Sequence, residues 1–191
     1  MQAAASRTTK QQAKAPAIRF TAKLVKIGSW DIILVPQNAS AKLPSRGMIM
    51  VKGTINGHSF QSPLEPDGKG SHWLHADRDL RTGAKIGTGD TVTMAIEPSK
   101  EWPEPNIPAD LKAALAADAE AKKLWEDVTP AARWDWLRWI ASTGREETRK
   151  KHVEVALSKL KNGLRRPCCF NRTMCTVSAV SKSGVLLDPD A

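Results

Sequence analysis

Between residues 17 and 97, apolar and polar residues alternate in short runs separated by turn residues. Ile18 to Val25 alternates for much of its length, the period of a half-buried strand. Gly28-Ser29 turns the chain, and Trp30 to Val35 predicts a second strand ended by Pro36. Gly47 to Ile55 predicts a third and His58 to Leu64 a fourth. Between them lies Asn56-Gly57, a two-residue hairpin signal, since both residues tolerate positive φ in a type I′ turn. Ser71 to Ala76 and Asp90 to Ile96 complete six strands. Six short strands with turns between them favour a small closed barrel, because closure leaves no strand edge exposed. Gly47 and Gly89 each precede a strand that follows a Pro- or Gly-containing loop. Two half-barrels related by pseudo-symmetry would produce this faint repeat.

The period changes after a Pro-rich linker at 98–107, expected to be extended and stiff. Pro108 suits the first turn of a helix, with Leu111 and Leu115 on one face. Asp118 is placed to cap a second short helix through Trp125, and Thr129-Pro130 starts a third. On that helix Trp136, Leu137, Trp139 and Ile140 span an arc of about 160°, a normal buried face. Trp136 and Trp139 are therefore expected in the core, with Trp134 the candidate exposed aromatic. Thr143 and Glu146 have capping-box spacing for a last helix, whose stripe is Val153, Ala156, Leu157 and Leu160. Asn162-Gly163 ends it. The expected organisation is a basic tail at 1–16, a barrel at 17–97, the linker, a helical domain at 108–164 and a Cys-containing segment at 165–191.

A hydrophobic share of 41% allows a buried core. No apolar run approaches the ~18 residues of a membrane-spanning helix, and the start lacks the apolar stretch of a secretory signal. The formal charge of +9 favours anionic partners, nucleic acid included. Solvated cationic faces such as Arg145 to Lys151 account for much of it. Three cysteines, two adjacent, do not form a secreted disulfide framework, so a reducing cytoplasm is the expected compartment.

The helical half resembles the bacteriocin-protection, YdeI/OmpD-associated family at Pro108, Asp110-Leu111, Ala114-Leu115, Asp118, Pro130, Arg133, Trp139-Ile140 and Glu147-Thr148-Arg149. The preceding half resembles the domain of unknown function that often accompanies it. The matching residues there include Phe20, Leu24, Gly28, Pro36, Gly47, Gly53, Gly57, Phe60, Pro66 to His72 and Gly89 to Val92. The resemblance implies an α+β protein: a six-stranded barrel of the double-split type, analogous to AbrB and MazE, followed by a helical bundle. Fold analogy does not transfer DNA binding. Barrels of this type can be completed by two chains, which makes a homodimer an open alternative. The chain departs from the family at His152, where a second Arg usually follows the Glu-Thr-Arg motif.

Gly68, Lys69, Gly70, Ser71, His72 and Trp73 form the first site candidate. Two glycines one residue apart let backbone N–H groups converge on an anion. Lys69 adds charge, Ser71 and His72 hydrogen bonds, and Trp73 a stacking face. Arg81 and Arg149 are the expected neighbours. The bland alternative is a Gly-rich turn that only shapes the barrel. Cys168 and Cys169, in a cationic run, are a redox candidate, against which stands the ordinary role of Cys as a small buried hydrophobe. The four histidines lack zinc-ligand spacing, and His72 and His75 should face opposite sides of one strand. Neither a metal nor a cofactor is expected. No paired carboxylates or Ser-His-Asp order supports an enzyme. The leading expectation is a non-catalytic binding or protection protein for a small anionic ligand or a protein partner. Nucleic-acid binding and a thiol-based redox response are the alternatives.

Overall fold

A computed structural model describes residues 16–143, 145–167, 179–181 and 185–189. Six strands, β1 (Ile18–Ile27), β2 (Trp30–Leu34), β3 (Ile49–Ile55), β4 (His58–Pro66), β5 (His72–His75) and β6 (Thr91–Pro98), close into a barrel. Their order is β1-β2-β5-β4-β3-β6, with every pair antiparallel. The alternation on β1 turns Ile18, Ala22 and Leu24 inward, where they meet Ile33, Val51, Ile55, Leu64, Leu74 and Met94. Asn56 and Gly57 both take positive φ, at 48° and 86°, and join β3 to β4 as the two-residue hairpin expected. Gly53 is required by a close approach: a Cβ there would lie 1.9 Å from the Ala95 carbonyl oxygen of β6.

Exchanging β1 with β4, β2 with β5 and β3 with β6 leaves the strand order unchanged. Each half is therefore two strands, a short helix and a third strand. The helices are α1 (Gln37–Ser40) and α2 (Arg78–Ala84), neither of which the alternation announced. Ile33 and Leu74 pair across the axis of this pseudo-symmetry. On either side, Val35 N–H donates to the His72 carbonyl (3.0 Å) and Ala76 N–H to the Asp31 carbonyl (2.9 Å). The side chains repeat the exchange. Ser40 of α1 bonds the His72 ring (2.8 Å), while Arg81 of α2 pairs with Asp31 (3.2 Å).

Four further helices follow: α3 (Ala109–Ala117), α4 (Ala119–Asp127), α5 (Pro130–Ile140) and α6 (Glu146–Lys161). Asp118 caps α4 by accepting Ala121 N–H (2.9 Å), and Thr129 caps α5 with Pro130 in its first turn. Thr143 does not cap α6. That helix starts at Glu146 without a side-chain cap, and Thr143 Oγ1 instead accepts Arg145 N–H (3.2 Å) in a local turn. The bundle core is built from Leu111, Leu115, Trp125, Trp136, Ile140, Val153 and Leu160. Trp136 is fully buried as expected. Trp139 is only partly buried. One face of its ring stacks on His152, centroids 4.4 Å apart, and Lys159 Nζ lies 5.4 Å from its centroid. No described helix is long and apolar enough to cross a membrane.

Candidate ligand-binding site

The loop expected to cradle an anion has the expected backbone, with positive φ at Gly68 and Gly70. Its donors point elsewhere. Asp67 Oδ1 accepts the N–H of both Lys69 (2.7 Å) and Ser71 (2.8 Å), so a carboxylate of the chain fills the nest. Lys69 Nζ pairs with Asp188 (2.6 Å), Leu186 N–H donates to the Asp67 carbonyl, and Val185 packs on Gly68. The loop thus receives part of the C-terminal segment.

Ser71 and His72 turn into the barrel. Ser71 Oγ donates to the Val35 carbonyl (2.6 Å). His72 is 1% exposed, with Nε2 2.9 Å from the Gly47 carbonyl and Nδ1 2.8 Å from Ser40 Oγ. A carbonyl only accepts, so Nε2 carries a proton, and in the neutral ring Nδ1 accepts from Ser40. This Ser–His pair is sealed inside the barrel, where it anchors α1 to β5. His75 does face the opposite side of β5. Arg81 is spent on Asp31 and the Ala76 carbonyl. Cys168 and Cys169 lie outside the described residues.

Two of the expected site residues, Trp73 and Arg149, line a different feature. A cleft of about 460 Å³ separates the outer face of the barrel from α5. Its barrel wall carries Trp30 of β2, Ser62, Pro63 and Glu65 of β4, Trp73 and His75 of β5, and Asp77. Opposite stand Trp134, Leu137 and Arg138 of α5, Ala141 and Ser142 just after that helix, and Arg149 of α6, with Val180 also in the lining. Trp30 organises the barrel wall. Its ring stacks on His75 at 4.7 Å, and its centroid lies 5.7 Å from that of Trp73. Trp73 is nearly buried and is held by Nε1–H donation to the Pro66 carbonyl (3.2 Å). On the far wall, Trp134 Nε1–H donates to the Pro103 carbonyl of the linker (2.8 Å), which fixes its ring.

Arg138 closes on Glu65 through two hydrogen bonds, Nε to Oε1 at 3.2 Å and Nη2 to Oε2 at 2.8 Å. Asp135 lies 3.8 Å from Arg138 and 2.8 Å from Arg166, yet burial holds its carboxyl above the usual range against both cations. Arg149 is clamped from outside the cleft. Asp110 takes its Nε–H (2.7 Å) and Nη2–H (3.1 Å). That pairing holds the Asp110 carboxyl below the usual range, chiefly through the hydrogen bonds from Arg149. His75 keeps a solvent-exposed edge, but its surroundings desolvate it and lower its pKa, against the opposing pull of Asp77, Glu65 and Asp31.

Residues 104–163 match the family model described as bacteriocin-protection, YdeI or OmpD-associated. Residues 20–96 match a domain of unknown function (DUF1905). The chain joins these two family domains. A search of curated proteins found no match. The cleft lies where the DUF1905 barrel meets α5 and α6 of the YdeI or OmpD-associated domain. His152, the position that departs from the usual second Arg, turns to Trp139, with Nδ1 3.2 Å from the Trp139 carbonyl. It is not among the cleft-lining residues.

Trp30, Glu65 and Arg138 were not singled out by the sequence, and His75 was weighed only as a metal ligand. Trp30 and His75 each look like an ordinary strand residue until the barrel closes and β2 meets β5. Glu65 and Arg138 lie 73 residues apart and become a pair only through docking of the bundle.

Proposed function

We propose that this chain is a non-catalytic binding protein that holds a small anionic ligand in the cleft between its barrel and α5. The protection role named in its family description would be exercised through that binding. The observation that carries the reading is the convergence of Trp30, Trp73, His75 and Trp134 on one cleft beside Arg149. A concave site that sets aromatic and apolar side chains beside placed polar groups is the ordinary form of a small-molecule site, and 460 Å³ is within the usual size range. The cleft's polar groups are arranged to hold rather than to react. Glu65 is committed to Arg138, Asp77 caps α2 by accepting Leu80 N–H (2.8 Å), and Ser142 Oγ donates to the Trp139 carbonyl (2.6 Å). His75 stacks on Trp30, and the closely bonded Ser–His pair, Ser40 with His72, is buried away from the cleft.

A thermal-shift screen tests this. Wild type, Trp134→Leu and Lys69→Ala would be heated with nucleotides, phosphorylated metabolites, organic acids, peptides and short nucleic acids. A ligand bound only by the folded state at a hundred times its Kd adds about 2.7 kcal/mol of stability. A shift kept by Lys69→Ala and lost by Trp134→Leu supports the cleft. The reverse pattern returns the site to the Lys69 loop. A salt-sensitive shift with nucleic acid in all three proteins would replace the small ligand with the basic surface.

A further inference from the structure

Resting on the cleft reading, we infer that its ligand is a planar aromatic monoanion: one or two fused rings carrying a single carboxylate or phosphate. The walls specify planarity. Trp30 presents its ring in a wall already stacked with His75, and Trp134 is pinned on the opposite wall by its bond to Pro103. Aromatic walls reward a flat π-system more than a saturated ring of the same bulk, because offset stacking adds to area burial.

The charges favour at most one anionic group. Arg149 reaches the cleft with Nε and Nη2 already held by Asp110, which is not a lining residue of the cleft. No hydrogen bond is made by Nη1 among the described residues. The guanidinium is thus fixed in orientation, and Arg149 is the cleft-lining cation whose carboxylate partner lies outside the cleft lining. Arg138 adds no comparable positive charge, because its bidentate partner Glu65 lines the same cleft. Asp77 on the barrel wall repels a second anionic group, which argues against di- and triphosphates.

The test is calorimetric titration of the full chain with four matched probes: indole-3-carboxylate, cyclohexanecarboxylate, indole and tryptamine. Indole-3-carboxylate should bind at least tenfold more tightly than each of the others. Trp30→Leu should weaken it about tenfold. Arg149→Gln should reduce it to the affinity of indole. Trp30→Phe, which keeps an aromatic packing partner for Trp73, should weaken it less, so a folding defect in Trp30→Leu would not decide the matter. Equal binding of cyclohexanecarboxylate, lost in Trp30→Leu, would overturn the planar class and leave the cleft standing. Preferential binding of tryptamine would overturn the anionic class and make the cleft a cation site. Binding of the indole acid unaffected by Trp30→Leu, Trp30→Phe and Arg149→Gln would overturn both the inference and the cleft. Binding of no probe would overturn the planar monoanion alone, since the broader thermal screen judges the cleft by other ligands.

Discussion

Glu65 and Arg138 make a two-bond ion pair between β4 of the barrel and α5 of the bundle, with side chains 21% and 16% exposed. Both residues line the cleft, so the contact that helps hold the two domains together also sets the spacing of its walls. Breaking a buried pair from one side costs about 3–5 kcal/mol, because a charge is left desolvated. Partial exposure lowers the expectation here. Arg138→Met should cost about 2 kcal/mol in urea denaturation. Arg138→Met combined with Glu65→Leu should recover most of it. Its binding should still fall, because the cleft walls lose their tie.

Gly53 should be intolerant for a reason unrelated to backbone freedom. A methyl group there would overlap the Ala95 carbonyl, which is backbone and cannot rotate away. Gly53→Ala should cost about 3 kcal/mol or prevent soluble expression. Gly57→Ala meets no atom within 4 Å and loses only the comfort of positive φ. It should cost about 1 kcal/mol. Comparing the two denaturation midpoints checks the ranking.

The lowered pKa of His75 predicts a pH dependence of known sign. The folded state resists protonation of this ring, while the unfolded chain takes a proton near pH 6.5. Between those two values the unfolded state binds more protons, so stability falls as pH drops through that window and levels off below it. The exposed edge of the ring keeps the effect small. A His75→Gln variant should lose this slope, read from thermal midpoints between pH 5 and pH 8. An unchanged slope would contradict the assignment.

Asp31–Arg81 and Ser40–His72 occupy matching places in the two halves of the barrel, each tying a short helix to a strand of the other half. The chemistry differs, so the consequences should too. Arg81→Met leaves Asp31, 9% exposed, with Thr88 as its remaining side-chain partner and should cost about 2–3 kcal/mol. Ser40→Ala removes one neutral hydrogen bond and should cost about 1 kcal/mol. Equal losses would contradict this account of the two ties.

The strands and bundle helices were legible because their signals are local. Alternation marks β1, Asn56-Gly57 marks a hairpin, and Asp118 and Thr129 announce helix starts through their own side chains. The helices α1 and α2 escaped because four and seven residues carry too little periodicity. Thr143 misled because capping-box spacing fits either a cap or a local turn, and Arg145 rather than Thr143 precedes the first helical residue. Trp139 sits on the apolar arc and packs against the core edge-on to Trp136, while His152 and Lys159 of α6 cover the rest of its ring. The Lys69 loop was read for its glycines and lysine, while Asp67 within the same loop proved to be the anion its amides hold. The cleft needed three distant parts of the chain to meet, and no local pattern contains that information.

Ligand is proposed to bind between the barrel and α5. The most direct measurement is a ¹⁵N-resolved NMR titration that follows the indole N–H signals of the seven tryptophans, assigned by substitution, with a ligand taken from the thermal screen. Trp30, Trp73 and Trp134 should shift together and saturate at one affinity, while Trp125 and Trp136 in the bundle core stay still. Saturable shifts that leave those three signals unmoved and fall instead on the Lys69 loop amides would contradict it.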